Sequence, residues 1–140
     1  MGYDIITITP ALDTSAYAAN DVLFTSTEIK LPHSKCRVMT IDAVWADSSA
    51  ADEDIILFFF KENTNQLGTR NAAADITGAE IAANVLLGTT KLTHHTTEAL
   101  SFSNPVLMTN QQVNDSSDES YKDSVVLVQG STRNTCYVQG

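Results

Sequence analysis

The sequence has little of what most catalytic and nucleic-acid-binding chains display. Basic residues are scarce: 8 Lys and Arg stand against 17 Asp and Glu, for a net charge of −9. Such a surface repels phosphate backbones, which are bound by neutralising them with Lys and Arg, so direct nucleic-acid binding is not expected. Glycine is sparse, with 6 in the whole chain, and none falls in a phosphate-cradling loop. The chain lacks GxSxG, HExxH and any cysteine in a signature context. Without a nucleophile, its base and an orienting group in a recognisable arrangement, an enzyme is not expected, and neither cofactor nor metal is required.

Cysteine and long apolar runs are also scarce. Cys36 and Cys136 lie a hundred residues apart, with no CxxC pair and no local ligand to complete a zinc site. They are expected to be unpaired, mostly buried thiols. His94 and His95 are adjacent, so on a strand they point to opposite faces, and only His33 is left to join either. No segment approaches the roughly 20 continuous apolar residues of a spanning helix, so no membrane partner is expected. Met1-Gly2-Tyr3-Asp4-Ile5 has no basic stretch leading into an apolar one. No signal peptide is read there, and folding in a reducing cytoplasm is expected.

What the chain does contain is a run that is apolar at every position between two charges, Asp54-Ile55-Ile56-Leu57-Phe58-Phe59-Phe60-Lys61. A strand apolar on both sides must be covered on both sides, whereas an alternating strand covers one face of a sheet. Three consecutive phenylalanines without cover make an aggregation-prone segment. The run therefore sits deep in a sandwich or exposes a face that a partner buries. At 140 residues the chain suits one domain spanning residues 1–140, long enough to bury about two-thirds of its unfolded surface.

Period-two runs at spacings near a dozen residues predict an all-β protein of about eight strands. The expected strands cover residues 3–9, 22–31, 35–46, 55–60, 90–93, 99–102 continued by 106–108, 124–129 and 134–139, the last two forming a hairpin about Gly130-Ser131. Residues 71–87 are alanine-rich and place Ile76, Ala79, Ala83 and Leu86 at helical spacing. They predict one short helix, weakened by Gly78, closed by Gly88 and carried on a connection between sheets. Residues 110–123 read as a polar surface loop. The count favours a jelly-roll-like β-sandwich with one short helical insertion.

Two binding readings need weighing. Asp115-Ser116-Ser117-Asp118-Glu119 could gather carboxylates on a hard cation, but it lacks the alternating pattern and central glycine of an EF-hand loop. Asp52-Glu53-Asp54 reads as a solvated gatekeeper before the phenylalanine strand. Trp45, Tyr17, Tyr121 and Tyr137 are candidate platforms for sugar rings, set against core packing for the tryptophan and half-buried surface for the tyrosines.

Ile6-Thr7-Ile8-Thr9-Pro10-Ala11-Leu12-Asp13-Thr14-Ser15-Ala16-Tyr17, then Asn20-Asp21-Val22-Leu23-Phe24, resembles the opening of a family of small virion structural proteins of tailed bacteriophages. Ile41-Asp42-Ala43-Val44, Ile56-Leu57-Phe58-Phe59-Phe60 and Asn71-Ala72-Ala73-Ala74-Asp75-Ile76-Thr77-Gly78-Ala79-Glu80 continue the likeness in order, while residues 110–123 depart from it. The resemblance implies a non-enzymatic particle component, foremost a head cement or decoration protein on the outer capsid surface. Its implied partners are the major capsid protein and further copies of itself, as a homodimer or homotrimer. Tail, baseplate or fibre-attachment roles, and a carbohydrate-binding β-sandwich module, are the alternatives. The candidate interface residues are Ile56, Phe58 and Phe60 on one face of the apolar strand, with Tyr3, Ile5 and Tyr17 near the amino terminus; alternation does not decide between that face and the set Ile55, Leu57 and Phe59 as the one that fills the core.

Overall fold

Period-two segments become eight β-strands and one short helix among the residues that the computed structural model describes, 3–45, 54–94, 106–109, 126–129 and 134–140. The strands are β1 (Thr27–Lys30), β2 (Lys35–Val38), β3 (Asp42–Trp45), β4 (Ile55–Phe60), β5 (Leu86–His94), β6 (Val106–Thr109), β7 (Val126–Gln129) and β8 (Thr135–Gln139), with α1 (Gly78–Asn84) between β4 and β5. They form an open six-stranded antiparallel sheet in the order β1-β8-β4-β5-β6-β3 and a two-stranded ladder of β2 with β7. The pairing is nested along the chain, β1 with β8, β2 with β7, β3 with β6 and β4 with β5.

Several boundaries differ from those the sequence predicts. The alternation over residues 35–46 is continuous, yet the chain leaves one ladder after Val38 and enters another at Asp42. Alternation records which side of a strand is apolar and carries no information on its neighbour, so a change of sheet leaves no mark. The expected strand at 22–31 keeps only Thr27–Lys30 as ladder. Before it, Phe24 and Gly140 exchange backbone hydrogen bonds of 3.0 and 3.3 Å, while Thr27 faces Val138. Three steps on one strand thus oppose two on the other, the count of a β-bulge. Gly140 is required at that point, since a Cβ there would lie 2.7 Å from Phe24 Cε1. The expected carboxy-terminal hairpin is not formed, because β7 pairs with β2 while β8 runs between β1 and β4. Residues 3–9, expected as the first strand, have no regular secondary structure and join no ladder among the described residues. The expected strand at 99–102 and the polar loop at 110–123 lie outside the described residues.

The helix is shorter than predicted and joins neighbouring strands of one sheet, not two sheets. Its start is a capping box: the Thr77 hydroxyl accepts from Glu80 N at 3.3 Å while the Glu80 carboxylate accepts from Thr77 N at 2.8 Å. These Thr77 hydrogen bonds hold the Glu80 carboxyl below its ordinary value. Gly78 opens the helix at its first position. The left-handed residue that closes it is Val85, with φ of 56°, and Gly88 lies within β5 opposite Phe59. A β-branched side chain is strained in that conformation; its backbone is held by Val85 N donating to Ala82 O and by Val85 O accepting from Lys61 N, both at 3.1 Å.

The two faces of β4 go to two apolar clusters. Leu57 and Phe59 join Phe24, Leu31, Leu92, Met108, Cys136 and Val138, with Ile55 packed against them. Phe60, wholly inaccessible, joins Val22 and Leu67 beneath the segment that carries α1, with Phe58, Ile76 and Ile81 packed around it. Ile56 remains 50 % exposed. Truncating Phe59 to Ala is expected to destabilise the protein by about 3–5 kcal/mol, and Ile56→Ala by about 1 kcal/mol or less. Urea midpoints for the two variants measure the difference, and equal shifts would refute this assignment of faces.

Candidate functional site

Among the described residues the two most exposed large apolar side chains lie in the amino-terminal arm, where Tyr3 is 81 % and Ile5 96 % accessible, with Ile6 and Leu12 also exposed; Met39 and Val44 are exposed outside it. Ile8 alone among the arm's isoleucines packs against the first core cluster. Along an extended chain Ile6 shares the side of Ile8, and Tyr3, Ile5 and Thr7 share the other. The arm thus presents Tyr3, Ile5 and Ile6 to solvent, with Ile8 as its inward anchor.

Its root is fixed by polar contacts. The Tyr17 hydroxyl accepts from Asp13 N at 2.6 Å and donates to Leu23 O at 3.0 Å. Asp13 Oδ1 accepts from Ser15 N at 2.9 Å, and Arg70 Nη1 donates to Ala11 O at 3.1 Å, with its Nε 4.0 Å from Asp13 Oδ2. The Ser15 backbone bond, the largest influence, outweighs desolvation with help from the Ser15 hydroxyl and Arg70 and holds the Asp13 carboxyl below its ordinary value. Short bridges of Asp21 with Ala73 and Val22 with Arg70 fasten the same region to the loop before α1. Tyr17 is therefore half-buried and acts as a clasp for the arm, with its hydroxyl already committed.

The other predicted interface residues separate. Phe60 has no exposed surface, and Phe58 is half-buried, its ring 6.4 Å from that of Phe60 and nearly parallel. Ile56 is open at the end of β4, opposite Lys91 of β5, whose ammonium lies 2.5 Å from Asp54. Leu86, opposite Phe60, is 40 % exposed and extends the apolar strip at the other end. Of the residues weighed for sugars, Tyr137 is half-buried on β8, Trp45 lies on β3, and Tyr121 falls outside the described residues. Asp115, Asp118 and His95 also fall outside, and among the described residues no three His, Cys, Asp or Glu side chains gather as a metal site.

Two residues that sequence reasoning missed secure the layer over Phe60. Asn84, at the end of α1 and fully buried, accepts from Thr64 N at 3.1 Å and Asn65 N at 2.9 Å and donates to Asn65 O at 2.7 Å. Gln139, also fully buried, accepts from Leu67 N at 2.7 Å and donates to Asn65 O at 3.2 Å. A primary amide carries both donors and an acceptor, so each can satisfy a loop's N–H and C=O groups at once. The only hint in the sequence is a polar residue at an inward position, which periodicity alone reads as outward.

Cys36 and Cys136 are free thiols in the structure. Burial, with Cys36 close by, pushes the Cys136 thiol up to about 12.

Replacing Asn84 by Ala leaves the part-buried N–H groups of Thr64 and Asn65 without their acceptor and is expected to destabilise by about 1–3 kcal/mol in all, with faster amide exchange at both. Exchange unchanged at both would refute the brace. A thiol reagent at neutral pH is expected to label Cys36 in the native protein and Cys136 only after denaturation, as read by intact mass; native labelling of Cys136 would contradict its burial.

No family model, curated protein or solved structure matches this chain significantly.

Proposed function

We propose that this chain is a non-enzymatic virion structural protein, foremost a cement or decoration protein that binds the outer surface of a phage head and bridges major capsid subunits. The observation that carries the reading is the amino-terminal arm, which presents Tyr3 and Ile5 almost fully to solvent on a protein with a net charge of −9. Isolated exposed apolar residues need no explanation, but a β-branched segment of them on a clasped root fits a part that is covered by another protein. An acidic body favours the outer shell over the DNA side, where phosphate repels it. The resemblance across residues 6–80 points the same way.

The finer fold within this proposal is a jelly-roll-like sandwich. Nested pairing of first with last strand, second with seventh, third with sixth and fourth with fifth supports it. The six-stranded order, with β4 directly beside β8, is the feature that a sandwich reading must accommodate.

Cementing acts by mass action: a protein that binds only the assembled shell stabilises it by its binding free energy, repeated over many identical sites. Electron cryomicroscopy of particles made from the genome that encodes the chain tests the proposal. Icosahedrally repeated density on the head is expected. Density confined to one vertex would move the chain to the tail, and a saturable signal on a glycan array with no particle density would replace the proposal with the sugar-binding reading.

A further inference from the structure

We infer that the amino-terminal arm adds as an extra antiparallel strand to the free edge of β1 in a second copy of this chain. The inference rests on the reading of the arm as an interface, and does not depend on where in a particle the protein sits.

Three observations converge on that edge. β1 ends the six-stranded sheet, and among the described residues no strand lies on its outer side. Such an edge carries a row of backbone N–H and C=O groups that an extended segment can pair with. The arm can supply such a segment: residues 3–9 form no helix, turn or strand of their own, are rich in isoleucine and threonine, and join no ladder among the described residues. Its root is clasped by Arg70 and Tyr17, which holds the arm in place as an element to be donated.

Side chains and charge select the register. The antiparallel alignment that sets Asp4 against Lys30 also sets Ile5 against Ile29 and Thr7 against Thr27, with Tyr3 beside Leu31. Ile29 is half-buried against the first core cluster and Leu31 belongs to it. The two most exposed apolar side chains of the arm would therefore extend that core, while the one acid of the arm meets the exposed lysine of the edge on the outer face. Directly opposed pairs of this type are the unit that stabilises a sheet. An antiparallel addition also matches every ladder already present in the sheet. Exchanged reciprocally, two arms close a two-fold pair in which each copy completes the edge of the other.

Sedimentation of the purified full chain tests this without any particle. The wild type is expected to show a discrete oligomer, and Ile5→Asp a monomer with an unchanged circular dichroism spectrum and a melting temperature no lower than that of the wild type diluted to its monomer. Asp4→Lys and Lys30→Asp, both at exposed positions, are each expected to weaken self-association by about two- to fivefold. Mixing these two variants restores association, because each arm then finds an opposite charge on the other copy. A wild type that stays monomeric, an Ile5→Asp oligomer of unchanged mass, or a mixture no tighter than its components would each overturn the inference. A monomer that still decorates particles would overturn the exchange and leave the proposed function standing, whereas an oligomer that decorates none would do the reverse.

Discussion

The rest of the structure depends on covering β4 from both sides. Its first face needs only apolar partners, which β1, β5, β6 and β8 supply. The second face is covered by a connecting segment between β4 and β5, and a connection brings polar backbone with it. Phe60 can be wholly buried only because Asn84 and Gln139 satisfy the N–H groups of Thr64, Asn65 and Leu67 that lie above it. The two amides come from distant parts of the chain, one closing α1 and one in the last strand, and both donate to Asn65 O. The loop layer is thereby tied to the sheet through polar contacts as well as through Leu67, Ile76 and Ile81.

This dependence explains which parts of the fold were legible in the sequence. The run from Ile55 to Phe60 announced its double burial through composition alone, and β4 spans those residues. The alanine-rich stretch announced a helix, and Thr77 with Glu80 marked its start through a capping box that the periodicity argument passed over. The remaining differences arise where side-chain pattern and backbone partner are independent. Residues 35–38 and 42–45 alternate in phase yet serve different ladders. The bulge before Thr27 depends on Phe24 meeting Gly140, a contact between distant parts of the chain. Val85 takes the left-handed position in place of the glycine three residues on because Lys61 and Ala82 hold its backbone. Of the candidate site, exposed Tyr3, Ile5 and Ile56 were foreseeable as apolar residues at strand positions. The clasp role of Tyr17 was not, since the sequence does not reveal that its hydroxyl meets Asp13 and Leu23.

The arm differs from the core in how its apolar residues are arranged. Within the body, isoleucine, leucine and phenylalanine are shared between two clusters, and the buried amides of Asn84 and Gln139 are hydrogen-bonded. In the arm, Ile8 packs inward while Tyr3 and Ile5 do not, although all three have the same strand-forming tendency. The difference follows from the root. Clasped at Asp13 and Arg70, the arm can lay one side on its own body but leaves the opposite side to water.

Nested pairing adds a constraint in time. β4 and β5 are joined by a local connection, whereas β1 waits for β8, more than a hundred residues later, before either of its edges is paired. Contacts of that sequence separation close late, because the loop entropy must be met before the ladder forms. Until β8 pairs with it, β1 lacks a ladder partner, and the isoleucine-rich arm joins none among the described residues. One β1 edge is then taken by β8, and the exposed charges Glu28 and Lys30 on the strand discourage indiscriminate pairing at the other. An edge guarded by charge accepts a partner whose charges fit, and Asp4 in an otherwise neutral arm has the sign that fits Lys30.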